Sequence, residues 1–412
     1  MQPLPGFRDF PPAACAERNY IFGKWREVAR RYGFVEYDGP LLEELGLYTK
    51  KSGDEIVRQL YDFVDKGERA VALRPEMTPT LARIVAANHR EFRKPLKWFS
   101  IPQVFRYERP QRGRLREHYQ LNCDIIGDAG LEADVELIAL AIDVVRAFGL
   151  GRNDFVVRIS DREFWTELLK VEHVPPQQWE EMLQAIDKSE REPREKTRER
   201  LGSLADPVLE IFEKGGESAK LNEIINKLRL RNLEEFAEVD VRIVRGLAYY
   251  TGVVFEVFDR NREFRAIAGG GRYDQLISQQ SGGAVELPAL GFAIGDVVLG
   301  EIIRANTSAR AQMEQAITGD TRIDIYVVIA KEERRPSALP IIQELRDRGY
   351  RVDYPLGPAK VPKQFQSAEQ LGAKLAILFG DEWPNITVKD LVRNEQQLVP
   401  REQLISVLGK VR

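Results

Sequence analysis

At 412 residues the chain is long enough for about two to four domains around sizeable cores. Its 43% hydrophobic and 30% charged residues fit a soluble globular protein and exclude a largely disordered one. A formal net charge of -3 gives no global basic field, so any nucleic-acid surface must be a local patch. Cys15 and Cys123 match no zinc spacing and form no disulfide framework, which points to a reducing compartment. The start, MQPLPGFRDFPP, reads neither as a secretory signal nor as an Arg-rich transit segment. No apolar run approaches the ~20 residues of a membrane helix. A cytoplasmic protein without a membrane partner is expected.

Ile21, Trp25, Val28, Ala29 and Tyr32 fall at helical spacing, with Gly33 as a stop. Phe34–Tyr37 reads as a short strand running into Pro40. From Ala70 to Gly127, strands at Val71–Leu73, Trp98–Val104 and Leu121–Ile126 alternate with loops and one helix around Thr80–Ala87. Residues 133–148 form an apolar-faced helix ended by Gly149, and Phe155–Ile159 resumes a strand. Residues 161–238 are charged, strand-poor and helical in pattern, which reads as an insertion. Strand patterns return at Val239–Val244, Val253–Phe258 and Phe264–Ala268, so segments on both sides of the insertion are expected to complete one sheet. Residues 305–322 have the small, polar composition of a linker or a frayed helix end. Beyond them come strand Ile323–Ile329, helix Ser337–Arg348, strand Arg351–Asp353, helix Gln364–Leu371 and strand Leu375–Phe379. That alternation implies a separate α/β domain with some parallel pairing.

The stretch from Phe105 to Asp124 carries the most chemistry. Five arginines (106, 109, 112, 114 and 116) fall within eleven residues, around a Pro and a Gly and between two strand patterns. A guanidinium is a planar, permanently charged fork suited to phosphate. Such a loop could clamp a triphosphate, a nucleic-acid backbone or both. It could equally be a solvated loop paired to Glu108 and Glu117. The glycines of Gly269-Gly-Gly271 do not complete a dinucleotide-binding fingerprint, and no phosphate-binding P-loop motif occurs. They read as places where backbone approaches a ligand closely.

Phe-Arg-Tyr-Glu108, the arginine-rich turn and the returning strand resemble the second signature motif of class II aminoacyl-tRNA synthetases. Phe34–Glu43, with Pro40, resembles the first, and Leu290–Gly295 before an apolar helix resembles the third. Val244–Gly252 and Ala268–Asp274, with Leu73–Thr78 upstream, resemble motifs of histidyl-tRNA synthetases. Lys363–Gly372 resembles their anticodon-binding domain. The resemblance spans nearly the whole chain. It implies an α+β fold: a catalytic domain on an antiparallel sheet, interrupted by a helical insertion and followed by a smaller α/β anticodon-binding domain. The expected boundaries are 1–160 and 239–304 for the catalytic parts, 161–238 for the insertion, 305–322 for a linker and 323–412 for the anticodon domain.

The resemblance implies a ligase that joins histidine to ATP and then to tRNA, as a homodimer, with magnesium accompanying ATP and no resident metal. Activation needs no side-chain nucleophile, only positioning and stabilisation of charge on phosphorus. None of His89, His118 and His173 is expected to be catalytic. By resemblance, Arg106 and Arg245 grip the α-phosphate and the histidine carboxylate from opposite sides. Glu76, Thr78 and Gln120 match positions that bind the α-amino group, and Asp124 and Tyr250 match those facing the imidazole. Tyr273 and Tyr249 line the pocket or are core aromatics. Arg114 is assigned to the γ-phosphate and Glu108 to adenine or a magnesium-linked network, with Arg109, Gln111 and Arg112 toward tRNA.

Three positions depart from the usual family pattern: Ala248 for aspartate, Asp124 for glutamate, and Val298 for the arginine that meets the ATP tail. They read as features of a divergent branch. Arg114 is expected to take over the duty that Val298 cannot perform. The alternative is a synthetase-like regulatory subunit of ATP phosphoribosyltransferase, which would sense histidine without charging tRNA. Residues 323–412 and the pairing of Arg106 with Arg245 weigh against it, and a non-catalytic nucleic-acid-binding accessory protein would not need Glu76, Gln120 and Tyr250.

Overall fold

The computed structural model describes residues 1–49, 57–109, 111, 113–190, 192–216, 218–245 and 249–409. It divides into two compact units, Met1–Met313 and Glu314–Arg412. Among the described residues no helix is long and apolar enough to cross a membrane.

The first unit opens on the helix Pro12–Arg31, which has proline in its first turn and buries Ile21, Trp25, Val28 and Ala29. Gly33 ends it at φ +77°. Strands follow at β1 (Val35–Glu36), β2 (Leu42–Glu44), β3 (Tyr61–Val64) and β4 (Ala70–Leu73), and then comes the helix Thr78–Asn88. Next are β5 (Leu96–Ser100), β6 (Gln103–Phe105), β7 (Glu117–Ile126), the buried helix Leu131–Arg146 and β8 (Phe155–Asp161). The expected single strand Trp98–Val104 is thus two, β5 and β6, parted at Ile101 and Pro102, where proline offers no N–H to a ladder. Helices from Arg162 to Leu230 separate β8 from β9 (Ala237–Val239). The core closes with β10 (Val253–Asp259), β11 (Ala268–Arg272), β12 (Ala289–Gly295) and the helix Asp296–Ala305.

Among the described residues nine strands form the main sheet, in the order β1-β5-β7-β12-β11-β10-β8-β9 with β6 added on β7. Every pair from β5 to β8 is antiparallel, and only the outer pairs β1·β5 and β8·β9 are parallel. Strands from before and after the helical segment therefore lie in one sheet. Strands β2, β4 and β3 make a separate small sheet.

Two expected strands are placed differently. Val239–Val244 is extended only to Val239. Beyond it the Asp240 carboxylate accepts from the Arg242 amide at 3.1 Å and from its guanidinium at 2.8 Å, a local turn that competes with the ladder. Phe264–Ala268 gives way to the later strand Ala268–Arg272. The Asp259 carboxylate holds the amides of Glu263 and Phe264 at 2.8 and 3.1 Å and keeps that stretch looped. The 305–322 segment, expected as a linker or a frayed helix end, is largely the helix Thr307–Thr321. Asn306 caps it by accepting from the Ala309 amide at 3.0 Å, and Ala309 and Met313 are buried.

The second unit carries β13 (Ile325–Ile329), β14 (Val352–Asp353), β15 (Leu375–Phe379), β16 (Asn385–Asp390) and β17 (Glu395–Pro400) in the order β14-β13-β15-β16-β17. Pairing is parallel among the first three and antiparallel beyond. Ile325, Val327, Ile341, Leu345 and Ile377 build its core. Helices Arg335–Asp347 and Val361–Gln370 connect the parallel strands.

Candidate active site

The register of the main sheet builds a trough. Alternate residues of β7, namely His118, Gln120, Asn122 and Asp124, line it. Across the ladder on β12 lie Gly295 opposite Gln120, Ala293 opposite Asn122 and Gly291 opposite Asp124. One strand further, Gly269 of β11 faces Ala293, and Glu256 of β10 faces Gly269. A row of tiny residues therefore forms a floor between polar walls, under a cavity of about 820 Å³. That is in the usual size range of small-ligand sites.

The glycines serve a closer purpose than expected. A Cβ on Gly269 would overlap the Arg245 guanidinium, and one on Gly291 would overlap the Asp124 carboxylate. The room they leave is taken by the site's own side chains.

At one end, Asp124 Oδ1 accepts from the Tyr273 hydroxyl at 2.5 Å. Its Oδ2 is buried with no hydrogen-bond partner among the described residues. Burial pushes this carboxyl up to about 7, against the opposing pull of the Tyr273 hydrogen bond. Nearby, Glu76 Oε2 accepts from the Tyr249 hydroxyl at 2.9 Å. Tyr249 packs edge-on to Tyr273, with ring centroids 5.9 Å apart. Both tyrosines, weighed above as pocket or core, are buried and line the cavity. Thr78 enters from the first turn of its helix. Gln120 donates to Asn122 at 2.8 Å, and its Oε1 lies 3.3 Å from His118 Nε2. Burial and the Arg106 charge push His118 down to about 3, so its ring is neutral at physiological pH.

The other end is cationic. Arg106 is fixed by donation from Nε to the Pro75 carbonyl at 2.9 Å. Arg245 comes from beyond the helical segment. Its guanidinium lies 3.3 Å from Glu256 and 5.5 Å from the centre of the Tyr250 ring. Its backbone sits at φ +61°, a left-handed setting that costs a non-glycine residue about 1–3 kcal/mol. The Arg245 amide donates to Asp187 at 2.8 Å. Arg114 pairs with Glu108 next to the Gly113 turn, where φ is +72°. Gly113, Val298 and Arg265 line the same end.

Ten of the assigned residues thus meet in one cavity: Glu76, Thr78, Arg106, Glu108, Arg114, Gln120, Asp124, Arg245, Tyr250 and Tyr273. Arg109 and Gln111 lie outside it and are exposed, and Arg112 and Ala248 lie outside the described residues. Arg116 is used within the loop, over the Tyr107 ring at 4.2 Å and on the Glu108 carbonyl at 3.0 Å. Of Arg272-Tyr-Asp274 only Tyr273 enters the site. Arg272 is bound to Asp134 at 2.5 Å, and Asp274 accepts from the Ala289 amide at 3.0 Å. Sequence reasoning missed Asn122, Glu256 and Arg265. The first two were legible as alternate positions on strands that carry Gln120 and Asp124 or follow Tyr250. Arg265 gave no signal beyond standing just ahead of the glycine strand.

The chain matches the histidyl-tRNA synthetase family over residues 6–205 and 194–296, and an anticodon-binding domain family over 324–410. It is 44% identical to the histidine–tRNA ligase of Opitutus terrae, over 98% of this chain and 97% of that one. The chain belongs to the histidyl-tRNA synthetase family. The chloroplastic/mitochondrial histidine–tRNA ligase of Arabidopsis thaliana is similar as well, at 37% identity over 96% of this chain and 84% of its own. The solved histidyl-tRNA synthetase of Nostoc sp. PCC 7120 shares the fold, with a TM-score of 0.74 at 22% identity and coverage of 100% and 99%. Membership makes this an enzyme, a histidine–tRNA ligase of class II. The antiparallel sheet and the C-terminal anticodon-binding unit of a histidyl-tRNA synthetase are both present.

Proposed function

We propose that the cavity holds histidine and ATP side by side, and that the histidine carboxylate attacks the α-phosphate there, releasing pyrophosphate. Histidine then passes from the adenylate to the 3′ end of tRNA. One observation carries this reading: a buried acid–phenol end and an arginine end share one small-residue floor. Asp124 Oδ2 is an acceptor suited to an imidazole N–H, with Tyr250 addressing the ring from the side. The carboxylate of Glu76, with Thr78 and Gln120, suits the α-ammonium, and Tyr273 holds Asp124 in place. Such a hydrogen-bonding pocket can reject analogues lacking the imidazole by roughly 10⁴–10⁵.

Arg106 and Arg245 take the α-phosphate and carboxylate, supplying charge where it develops on phosphorus. Arg114 and Arg265, which line the cavity with Val298, suit the terminal phosphates. Glu108 serves the adenine or the magnesium-linked network. Magnesium is read as arriving with ATP. The carboxylates of Glu108 and Glu256 at this end suit an oxygen-seeking ion that keeps most of its ligands as phosphate and water.

Arg109, Gln111 and Arg112 are assigned to tRNA, on the outer part of the same loop. A homodimer is supported by exposed Val35, Leu41, Leu42, Phe63 and Val64, gathered on β1, on the small sheet and beside it. The free thiols of Cys15 and Cys123 agree with a cytoplasmic setting. Charging of tRNA with histidine, in the presence of ATP and magnesium, tests the reading. If the protein binds histidine but leaves tRNA uncharged, the histidine-sensing alternative replaces it.

A further inference from the structure

The helical segment between β8 and β9 reaches the cavity through a specific contact. Its helix Trp179–Lys188 places Asp187 so that Oδ1 accepts the backbone N–H of Arg245, 58 residues further along, at 2.8 Å. Three residues on, Glu190 binds the Arg242 guanidinium at 3.2 Å, and Arg158 of β8 at the same distance. Residues 187–190 therefore grip the stretch 240–245 at a side chain and at a main-chain amide. The amide is the one that matters for chemistry. Arg245 is not glycine, yet it stands at φ +61°, a conformation that persists only where surrounding contacts over-determine it. From that setting its guanidinium lies over Gly269 and beside Glu256 in the cavity.

We propose that Asp187 is a positioning residue for Arg245, so that the helical segment sets the rate of histidine activation inside the cavity. The carboxylate oxygen holds the left-handed backbone of Arg245, and the backbone aims the guanidinium. This rests on the reading of Arg245 as a ligand of the α-phosphate. Small displacements of a group that stabilises a transition state lower kcat more than they weaken ground-state binding.

The test is histidine-dependent ATP–pyrophosphate exchange by the full chain carrying Asp187→Ala or Asp187→Asn, with Arg245→Ala alongside. Asparagine keeps an oxygen that accepts the amide, whereas alanine does not. Asp187→Ala is expected to lose roughly tenfold to a hundredfold in kcat with little change in either KM. Asp187→Asn is expected to recover most of that loss. The double variant Asp187→Ala/Arg245→Ala should be no slower than Arg245→Ala alone, because the two act as a unit. Rates are taken per active site, titrated by the burst of adenylate formation, so a merely less folded variant does not imitate the effect. Normal kcat in Asp187→Ala, with Arg245→Ala inactive, overturns the proposal alone. Equal loss in Asp187→Ala and Asp187→Asn also overturns it, since the accepting oxygen would not be what counts. Normal exchange in Arg245→Ala overturns the reading of Arg245 and this proposal with it.

Discussion

On the proposed reading Asp124 faces the imidazole, and its buried environment gives it a measurable signature. In the unfolded chain its carboxyl titrates near 3.8; folded, burial lifts it to about 7. Between those values the folded chain keeps a proton that the unfolded chain has released. On this group's account stability therefore falls as pH rises through that window, and is level on either side. Asp124→Asn does not titrate, so the variant should gain stability relative to the parent from about pH 4 to about pH 7. Urea midpoints of both proteins across that range measure it, and a constant difference between them contradicts the burial argument. At the opposite end, Arg114 and Arg265 stand where Val298 offers only apolar surface. Arg114→Ala should raise the KM for ATP roughly tenfold to a hundredfold, the worth of one charge-assisted contact at about 1.5–3 kcal/mol, and that for histidine far less. Exchange measured without tRNA reads this directly. An unchanged ATP constant, with weaker tRNA affinity, would assign the loop to tRNA alone. The arginines of that loop are visible in the sequence, and the resemblance divides them between phosphates and tRNA. The fold brings Arg106 and Arg114 to the cavity and adds what the sequence did not show, Arg116 over the Tyr107 ring.

The strands explain why some elements were legible and others were not. Helix Pro12–Arg31 and β10 carry apolar periodicity because each buries one face or both, and that pattern survives in the sequence. Strand β11, Ala-Gly-Gly-Gly-Arg, has no such pattern because its neighbours leave no room for side chains. Arg245, 24 positions earlier in the chain, fills the space beside Gly269, and Phe292 on the adjoining strand fills that beside Gly270. The turn after Val239 was likewise hidden, since Val241, Ile243 and Val244 are apolar and buried without being in a strand. There the Asp240 carboxylate, not hydrophobicity, decides the backbone. Gly269→Ala should cost exchange nearly as much as Arg245→Ala, roughly 10²–10³ in rate, because the added methyl displaces the guanidinium. The Gly269→Ala/Arg245→Ala double variant should then be little worse than either. Additive losses in that double-mutant cycle would show that Gly269 acts on something other than Arg245.

At the scale of the whole chain, two compact units divide near Met313, within the helix Thr307–Thr321. The change of strand–helix pattern beyond residue 322 was plain in the sequence. The helix that carries the division was obscured by its weak amphipathicity, since alanine, glutamine and glutamate form helices without an apolar stripe. The first unit holds all the cavity residues, so a chain ending at Thr321 should keep histidine-dependent exchange while losing efficient transfer to tRNA. Equal loss of both in a well-folded truncated protein argues against that division. On the proposed reading one cavity both binds histidine and activates it with ATP. ATP–pyrophosphate exchange by the intact chain, offered each of the common amino acids in turn and without tRNA, tests this most directly. Strong stimulation by histidine is expected, and none above background by any other. No stimulation by histidine, or equal stimulation by several amino acids, would contradict it.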